Sequence, residues 1–425
     1  MYKKTFLLII CFWLTFALHA QDTLRVMVYN LLYYGQFTSF CTQANNNPDT
    51  KDAHLRNILG HDLPDIFVVN EMGRDAYYHQ RIIDSVLHKI SDRVYARAES
   101  KNISGSNIMN MMYYNTEKLA LKSQHIMQSL TRDIDLYTLY YKSPDLETGD
   151  TAFINCIAAH LKAGSSSSDQ QTRLFQINNV MAWLASNRAP GNYLFMGDFN
   201  AKSSNEQALQ NLLFGSNIDF RFYDPVNKLG DWYNNPQFAL YHTQSTHTSG
   251  SCHAGGGMDD RFDLILASLD IMQGNQMVSY VDNSYTTMGQ DGQRLRKSLI
   301  DTPTNTSAPY PVIQSLYHNS DHLPVLLSLA VNQAPASINN PANLKRIKIQ
   351  NPVNHELRVE LPVNPMMNEA YGIGIYTIHG KLVADETLHS ENTSITIPVG
   401  SLKPGIYLLR IYNSQVSQVY KFIKL

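Results

Sequence analysis

The sequence predicts a layered α/β (α+β) body followed by a small all-β sandwich. Three observations lead there. Up to Val331, runs rich in Val, Ile, Leu, Phe and Tyr alternate with segments of helical periodicity, the pattern of strands covered by helices. Beyond residue 343 the helical periodicity stops, and β-like runs succeed one another between Gly, Pro and Asn turns. Between the two lies NQAPASINNPAN, residues 332–343, rich in Pro, Asn and Ala and aperiodic, which reads as a linker.

The elements follow in order. MYKKTFLLIICFWLTFALHA places Lys3 and Lys4 before an apolar stretch from Phe6 to Leu18, too short to span a bilayer. It reads as a secretory signal peptide over residues 1–20, cut after Ala20. No later apolar run has the length of a transmembrane helix. The main body, residues 21–331, has strand candidates at Thr23–Tyr34, Asp65–Glu71, Asn110–Tyr114, Ala152–His160, Tyr193–Asn200, Phe262–Ser268 and His322–Val331. Helical faces recur in Arg74–Ile90, through Ile82, Ile83, Val86, Leu87 and Ile90, and in Asp169–Ala185, through Leu174, Ile177, Val180, Met181 and Leu184. Ser203-Ser204-Asn205-Glu206 fits a capping box opening a third helix. Residues 344–425 contain six short strand candidates, enough for a small sandwich.

With 44% hydrophobic and 16% charged residues, the 425-residue chain is globular. Residues 22–340 carry 23 Lys and Arg against 30 Asp and Glu, and residues 341–425 carry 9 against 6. An acidic body argues against tight electrostatic binding of nucleic acid. It remains compatible with turnover of a phosphate ester if metal ions sit in the cleft. Cys156, inside the apolar run FINCIAAH, reads as a buried thiol, whereas Cys41 and Cys252 sit in polar loops where they can pair in an exported protein.

Six apolar runs end on residues able to hold metal or phosphate. RVMVYN ends on Asn30, DIFVVNE on Glu71, and INCIAAHLK presents His160 and Lys162. FMGDFN presents Asp198 and Asn200, RFDLILAS carries Asp263, and HNSDHLPV carries Asp321 and His322. Singly, each has a plain structural role: a turn, a strand end, a solvated lysine, or for Asp263 an ion pair with Arg261. Jointly, they hold what hydrolytic cleavage of a phosphodiester needs: carboxylates for a hard divalent cation, an imidazole oriented by a carboxylate, and amides facing phosphate oxygens.

Through GDFNA, SDHLPV and HLK, residues 23–330 resemble the endonuclease/exonuclease/phosphatase family. The resemblance implies a four-layered α/β sandwich with two packed mixed β-sheets and a site at one edge. It implies that Glu71 binds the metal with Asn30 and Asp321 nearby, that His322 is the general base oriented by Asp263, and that Asp198 positions the attacking water. Asn200 and His160 would bind the scissile phosphate, with Lys162 a further phosphate contact. The implied cofactor is Mg²⁺ or Mn²⁺, with Ca²⁺ a further candidate. Two positions depart from the pattern. Asn70 stands where the family usually has Gln, and SGSNIMNMM lacks the acid that pairs the first histidine in deoxyribonuclease-like members, leaving Asn107 or Asn110 in its place.

NPVNHELRVELP, YGIGIYTIHGKLV, LKPGIYLLRIYN and the terminal YKFIKL resemble the sorting domain of type IX secretion substrates. That resemblance implies the type IX machinery as a partner and a secreted or cell-surface location. The expectation is a secreted divalent-metal-dependent phosphodiesterase, a nuclease acting on DNA or RNA by in-line water attack. The alternatives are a sphingomyelinase-like phospholipid phosphodiesterase, an inositol- or sugar-phosphate phosphatase, and a catalytically inactive binding protein on the same scaffold. Tyr33-Tyr34, Trp232-Tyr233 and Tyr241-His242 are loop aromatics of the kind that stack bases.

Overall fold

A computed structural model of the chain describes residues 22–143, 146, 151–331, 348–360, 371–377, 381–388, 394–412 and 417–425. The signal peptide expected at 1–20 and the linker at 332–343 lie outside the described residues. The chain divides into two compact units, Met1–Ala336 and Ser337–Leu425. Among the described residues no helix is long and apolar enough to cross a membrane.

The larger unit opens with β1 (Asp22–Tyr34), β2 (Ile66–Gly73), β3 (Tyr95–Arg97) and β4 (Ile108–Asn115). The hairpin of β5 (Leu119–Gln128) and β6 (Ile134–Tyr141) leads to β7 (Phe153–His160), β8 (Tyr193–Asp198) and the two-residue β9 (Phe222–Tyr223). β10 (Asp263–Ser268), β11 (Val278–Tyr280), β12 (Thr286–Thr287) and β13 (Val325–Val331) follow. One sheet has the order β11-β13-β1-β2-β4-β3, with β12 on β13, and the other has the order β5-β6-β7-β8-β10-β9. Both are mixed: β1–β2 and β7–β8 are parallel, the other pairs antiparallel.

Side-chain alternation explains the layering. In β7, Ile154, Cys156 and Ala158 join a core with Val26, Val28 and Val68 of the first sheet, while Ile157 and Ala159 join a second core with Ile177, Val180 and Leu184. Both faces are therefore covered, which is why INCIAAH reads as a continuous apolar run. The second core lies under the helix Ser167–Asn187. On the far side of the first sheet, Leu55 and Ile58 of the helix Pro48–His61 and Val312 and Leu316 of Tyr310–Asn319 complete the other outer layer. The result is helix, sheet, sheet, helix.

Local chemistry departs from expectation in two helices. Arg74–Ile90 is not one regular helix: an α-turn over Ala76–Arg81 widens to a π-helical turn over Ile82–Leu87, which still buries Ile82, Ile83, Val86 and Leu87. The capping box at Ser203–Glu206 does not form, because Arg173 takes the Glu206 carboxylate at 2.7 and 2.9 Å. A capping box does form one helix earlier, where Ser166 and Asp169 satisfy each other's backbone N–H groups.

The smaller unit is all-β among its described residues. Lys348–Ile349, Glu356–Glu360 and Ser394–Pro398 form one sheet; Tyr371–Thr377, Leu382–Leu388, Gly405–Tyr412 and Ser417–Lys424 form another. Alternate residues Leu357, Val359, Ile373, Ile375, Leu409 and Ile411 form its core.

Gly197 sits where β8 runs closest to β7. Its φ is +139°, and a Cβ added there would lie 1.8 Å from the Ala159 carbonyl oxygen. Any side chain would thus pry the two strands apart at the residue before Asp198. Gly197→Ala is expected to cost about 2 kcal/mol or more in chemical denaturation, since both strain and a backbone clash must be relieved. Unchanged stability would contradict the close approach.

Candidate active site

Strand register brings the candidate residues together. β8 places Asp198 beside His160 of β7 on one side and opposite Asp263 of β10 on the other. In the other sheet Asn30 of β1 lies beside Asn70 of β2, and past that point the pairing shifts. There Leu32, Tyr33 and Glu71 adopt left-handed backbone, with φ of 46°, 51° and 56°. Such conformations cost on the order of 1 kcal/mol or more each and persist where surrounding bonds over-determine them. Here the Asn30 Oδ1 accepts the Leu32 N–H at 3.0 Å and Glu71 Oε2 accepts the Tyr33 N–H at 3.1 Å. Asn200, at φ 50°, donates its backbone N–H to Asp198 Oδ1 at 2.9 Å.

Glu71, His160 and Asp198 each present one potential ligand atom, all within 4.8 Å of one another. The His160 Nε2 is 3.5 Å from Asp198 Oδ2 and 3.9 Å from Glu71 Oε1. Asn30 Nδ2 lies among these groups, 3.2 Å from Glu71 Oε1, 3.1 Å from Asp198 Oδ2 and 3.4 Å from His322 Nε2. The His322 Nδ1 lies 2.6 Å from Asp263 Oδ2, and its Nε2 is 3.8 Å from Asp198 Oδ2. Asp321 stands at the edge. Its Oδ2 accepts the Ala254 N–H at 2.8 Å, while its Oδ1 is buried without a hydrogen-bond partner.

Further residues surround this centre, and of these Gln244, Arg132 and Lys51 were not singled out from the sequence. The Gln244 Nε2 lies 2.7 Å from His322 Nε2 and Asp263 Oδ2 lies 2.6 Å from Nδ1, so in the neutral form of the imidazole Nε2 accepts from Gln244 and the proton sits on Nδ1, against Asp263. Arg132, on the β5–β6 turn, donates to the His160 and Leu161 carbonyls at 3.0 and 2.5 Å. Lys51 is buried and donates to Asn46 Oδ1 at 2.9 Å, to the Leu32 carbonyl at 3.3 Å and to the Asn319 carbonyl. Asn70 Oδ1 accepts the Asp198 N–H at 3.0 Å, and its Nδ2 donates to Asn110 Oδ1 at 2.7 Å, joining the two sheets behind the site. Gln244, Arg132 and Lys51 carry no sequence signal of their own, because each acts from a loop, a turn or a helix that only the tertiary fold brings near.

Asn30, Glu71, His160, Asp198, Asp263, Asp321 and His322 thus converge. Asn30 presents its amide N–H to the carboxylates and gives its oxygen to Leu32, a donor's orientation and not that of a metal ligand. Asn200 is adjacent, its Nδ2 3.3 Å from the Leu161 carbonyl. Lys162 is not part of the cluster: its ammonium pairs with Asp169 at 2.7 Å and with the Ala163 carbonyl. Arg261 pairs with Asp224 and leaves Asp263 to His322. Asn110 does not meet the His160 ring. Its Nδ2 goes to Asp135 and to the Asp133 and Ala158 carbonyls, and His160 Nδ1 has no partner. Cys41 and Cys252 form a disulfide, and burial pushes the free Cys156 thiol up to about 12.

The cluster is acidic and largely buried. Burial raises the Asp198 carboxyl to about 7 against the pull of His322, with Asp263 and Glu71 adding repulsion. Burial, then Asp321, raises Glu71. Burial, then Arg132 and His322, holds His160 well below the ordinary histidine value. For His322 burial opposes charge, but Asp263, Asp198 and Asp321 raise its proton affinity well above the usual value. Away from the centre, burial lifts Asp135 and Asp260 to about 7.

Residues 351–425 match the family model described as a secretion system C-terminal sorting domain. The C-terminal unit is thus a sorting domain of the type IX kind, which marks a protein for export to the cell surface or the medium. Solved structures similar to the chain include an endonuclease/exonuclease/phosphatase family protein from Bacteroides thetaiotaomicron, at 14% identity and TM-score 0.45, covering 75% of this chain and 99% of that one. Another is D. rerio TDP2 complexed with a single-strand DNA product, at 12% identity and TM-score 0.44, covering 72% and 99%. A third is the human Nocturnin catalytic domain with bound sulfate, at 13% identity and TM-score 0.43, covering 73% and 98%. No curated protein matches the sequence.

Two sets of groups shape the pH dependence of stability. A carboxyl whose folded pKa is raised keeps its proton in the native state after the unfolded chain has released it; that stabilisation is complete below about 4 and is lost as pH rises towards 7. Histidines held by burial below their ordinary value, His160 and His247 among them, act in the opposite sense and add stability as pH rises. The carboxyl contribution is read as a difference: in urea denaturation with chelator, Asp135→Asn, which removes one such charge without touching the central cluster, should gain stability relative to wild type as pH rises from about 4 to 7. A pH-independent difference between the two would refute it.

Proposed function

We propose that the larger unit is a divalent-metal-dependent phosphodiesterase of the endonuclease/exonuclease/phosphatase kind that cleaves nucleic acid, DNA or RNA, outside the producing cell. The signal peptide over residues 1–20 would begin its export. The supporting observation is the convergence, from segments as far apart in sequence as Glu71 and His322, of a carboxylate cluster with an imidazole whose Nδ1 faces Asp263 at 2.6 Å.

Glu71 and Asp198, with the unpartnered Asp321 Oδ1 nearby, would hold the cation; carboxylate oxygens suit Mg²⁺ or Mn²⁺, and Ca²⁺ as well. When bound, such a cation polarises phosphoryl oxygens and acidifies water. His160 serves differently. Its Nδ1 is buried without a partner, so a proton there would be an orphaned donor. The proton is better carried on Nε2, facing the site, where it can be donated to a phosphate oxygen. Asn200 adds an amide, and Arg132 a positive field beside the same backbone.

Hydrolysis then proceeds by in-line attack. In its neutral form His322 accepts a proton on Nε2 from the attacking water, the water oxygen bonds to phosphorus, and the opposite ester bond breaks, its oxygen taking a proton from solvent to leave as an alcohol. Asp263 holds the ring and stabilises the imidazolium that forms. Asp198, facing both imidazoles, orients the water. Gln244 must yield Nε2 when water arrives.

Purified protein should be offered plasmid DNA, single-stranded DNA, RNA, sphingomyelin and inositol phosphates, with Mg²⁺ or Mn²⁺ and with chelator. Nucleic acid should be cleaved, and chelation should abolish the activity. His322→Ala should lower the rate roughly 10²- to 10⁴-fold. Metal-independent cleavage, or a His322→Ala enzyme of near-normal rate, would sink the mechanism. Hydrolysis of sphingomyelin alone would move the substrate to the lipid alternative.

A further inference from the structure

Beside Asp321 the surface carries an unusual run of rings. His247 is stacked on one face by Tyr317, centroids 3.9 Å apart and planes 20° apart, and on the other by His253, at 3.8 Å and 19°. No further described ring packs against His253, which ends the stack half-exposed. Burial, then the neighbouring His253, pushes the central His247 down to about 4, so the middle of the stack is uncharged at neutral pH. His253 adjoins Cys252, which is bonded to Cys41, and next to Cys41 stands Phe40, 71% exposed. The two rings flank one crosslink.

Both loops are held in place. The Ser245 Oγ donates to the Ala254 carbonyl at 2.6 Å, the Gly257 N–H to the His247 carbonyl at 2.8 Å, and the Ala254 N–H to Asp321. Across the disulfide, Thr38 Oγ1 accepts the Phe40 and Cys41 N–H groups, and Asn45 Nδ2 holds the Phe40 carbonyl. The surface is therefore pre-organised, which lowers the entropy cost of binding to it.

We propose that His253 and Phe40 form a stacking subsite for a base of a single-stranded nucleic acid whose phosphate lies in the adjoining site. The inference rests on the nuclease reading above. Flat rings spaced near the separation of stacked bases invite another ring, and every base offers a π-face whatever its sequence. The N–H that contacts Asp321 belongs to Ala254, the residue next to His253, which places the platform within a nucleotide's reach of the phosphate. A lipid is the poorer fit. The loop STHTSGSCHAGGG, residues 245–257, has no aliphatic side chain larger than Ala254 with which to enter a membrane.

The test uses the oxidised full chain in chelator, so that binding is read without turnover. Fluorescence anisotropy would compare labelled single-stranded DNA and RNA oligonucleotides with versions carrying one abasic residue, scanned along the strand. Wild type should lose about tenfold in affinity at one abasic position. His253→Ala should bind the intact strand about tenfold more weakly and become indifferent to that abasic position, and Phe40→Ala should do the same in smaller measure. His253→Phe should restore the discrimination, which separates stacking from a folding defect. If His253→Ala weakens intact and abasic strands equally, or neither, the subsite is wrong while the nuclease reading stands. If wild type neither binds nor cleaves any oligonucleotide yet hydrolyses sphingomyelin vesicles, both fall.

Discussion

Asp198 is flanked by His160 through a parallel ladder and by Asp263 through an antiparallel one, and its backbone N–H is capped by Asn70 from the other sheet. The geometry of the centre is therefore set by main-chain hydrogen bonds in three adjacent strands and one amide bridging the two sheets. Gly197 lets β8 come close enough for this register to exist. A one-residue slip would turn Asp198 to the opposite face and dissolve the cluster.

The arrangement gathers negative charge where water is scarce. Glu71, Asp198, Asp263 and Asp321 share a small, buried volume, and an isolated ionised carboxylate there is costly. The two nearest cations do not neutralise them directly. Lys51, pushed down to about 7 by burial, binds the Leu32 carbonyl within β1 and the Asn319 carbonyl at the end of the helix Tyr310–Asn319, and Arg132 binds carbonyls at the end of β7. Each secures the backbone beside the cluster.

Much of this was legible in the sequence because two-sided burial leaves an uninterrupted apolar run, and the polar residue that ends such a run is conspicuous. β1, β2, β7, β8, β10 and β13 all announce themselves in that way, and they carry the central residues. β5 was harder: LALKSQHIMQ mixes charge and polarity because most of that strand is only partly buried. Gln244 and Arg132 were invisible, since nothing local marks a loop glutamine or a turn arginine as facing an imidazole. The capping box misled because a long-range partner, Arg173, competed successfully for Glu206. Asn30 was legible as a site residue but not in its orientation, which depends on a left-handed turn that the sequence NLLYYG does not advertise.

The bond between Cys41 and Cys252 joins positions 211 residues apart, and one of its arms carries the N–H that holds Asp321. Thiols stay reduced in the cytosol and are oxidised beyond it. Loop order beside the acidic centre is consequently a property acquired with the change of compartment. A chain whose cysteines are still reduced lacks the covalent tie that fastens this rim, so maturation and delivery are the same event for that part of the molecule.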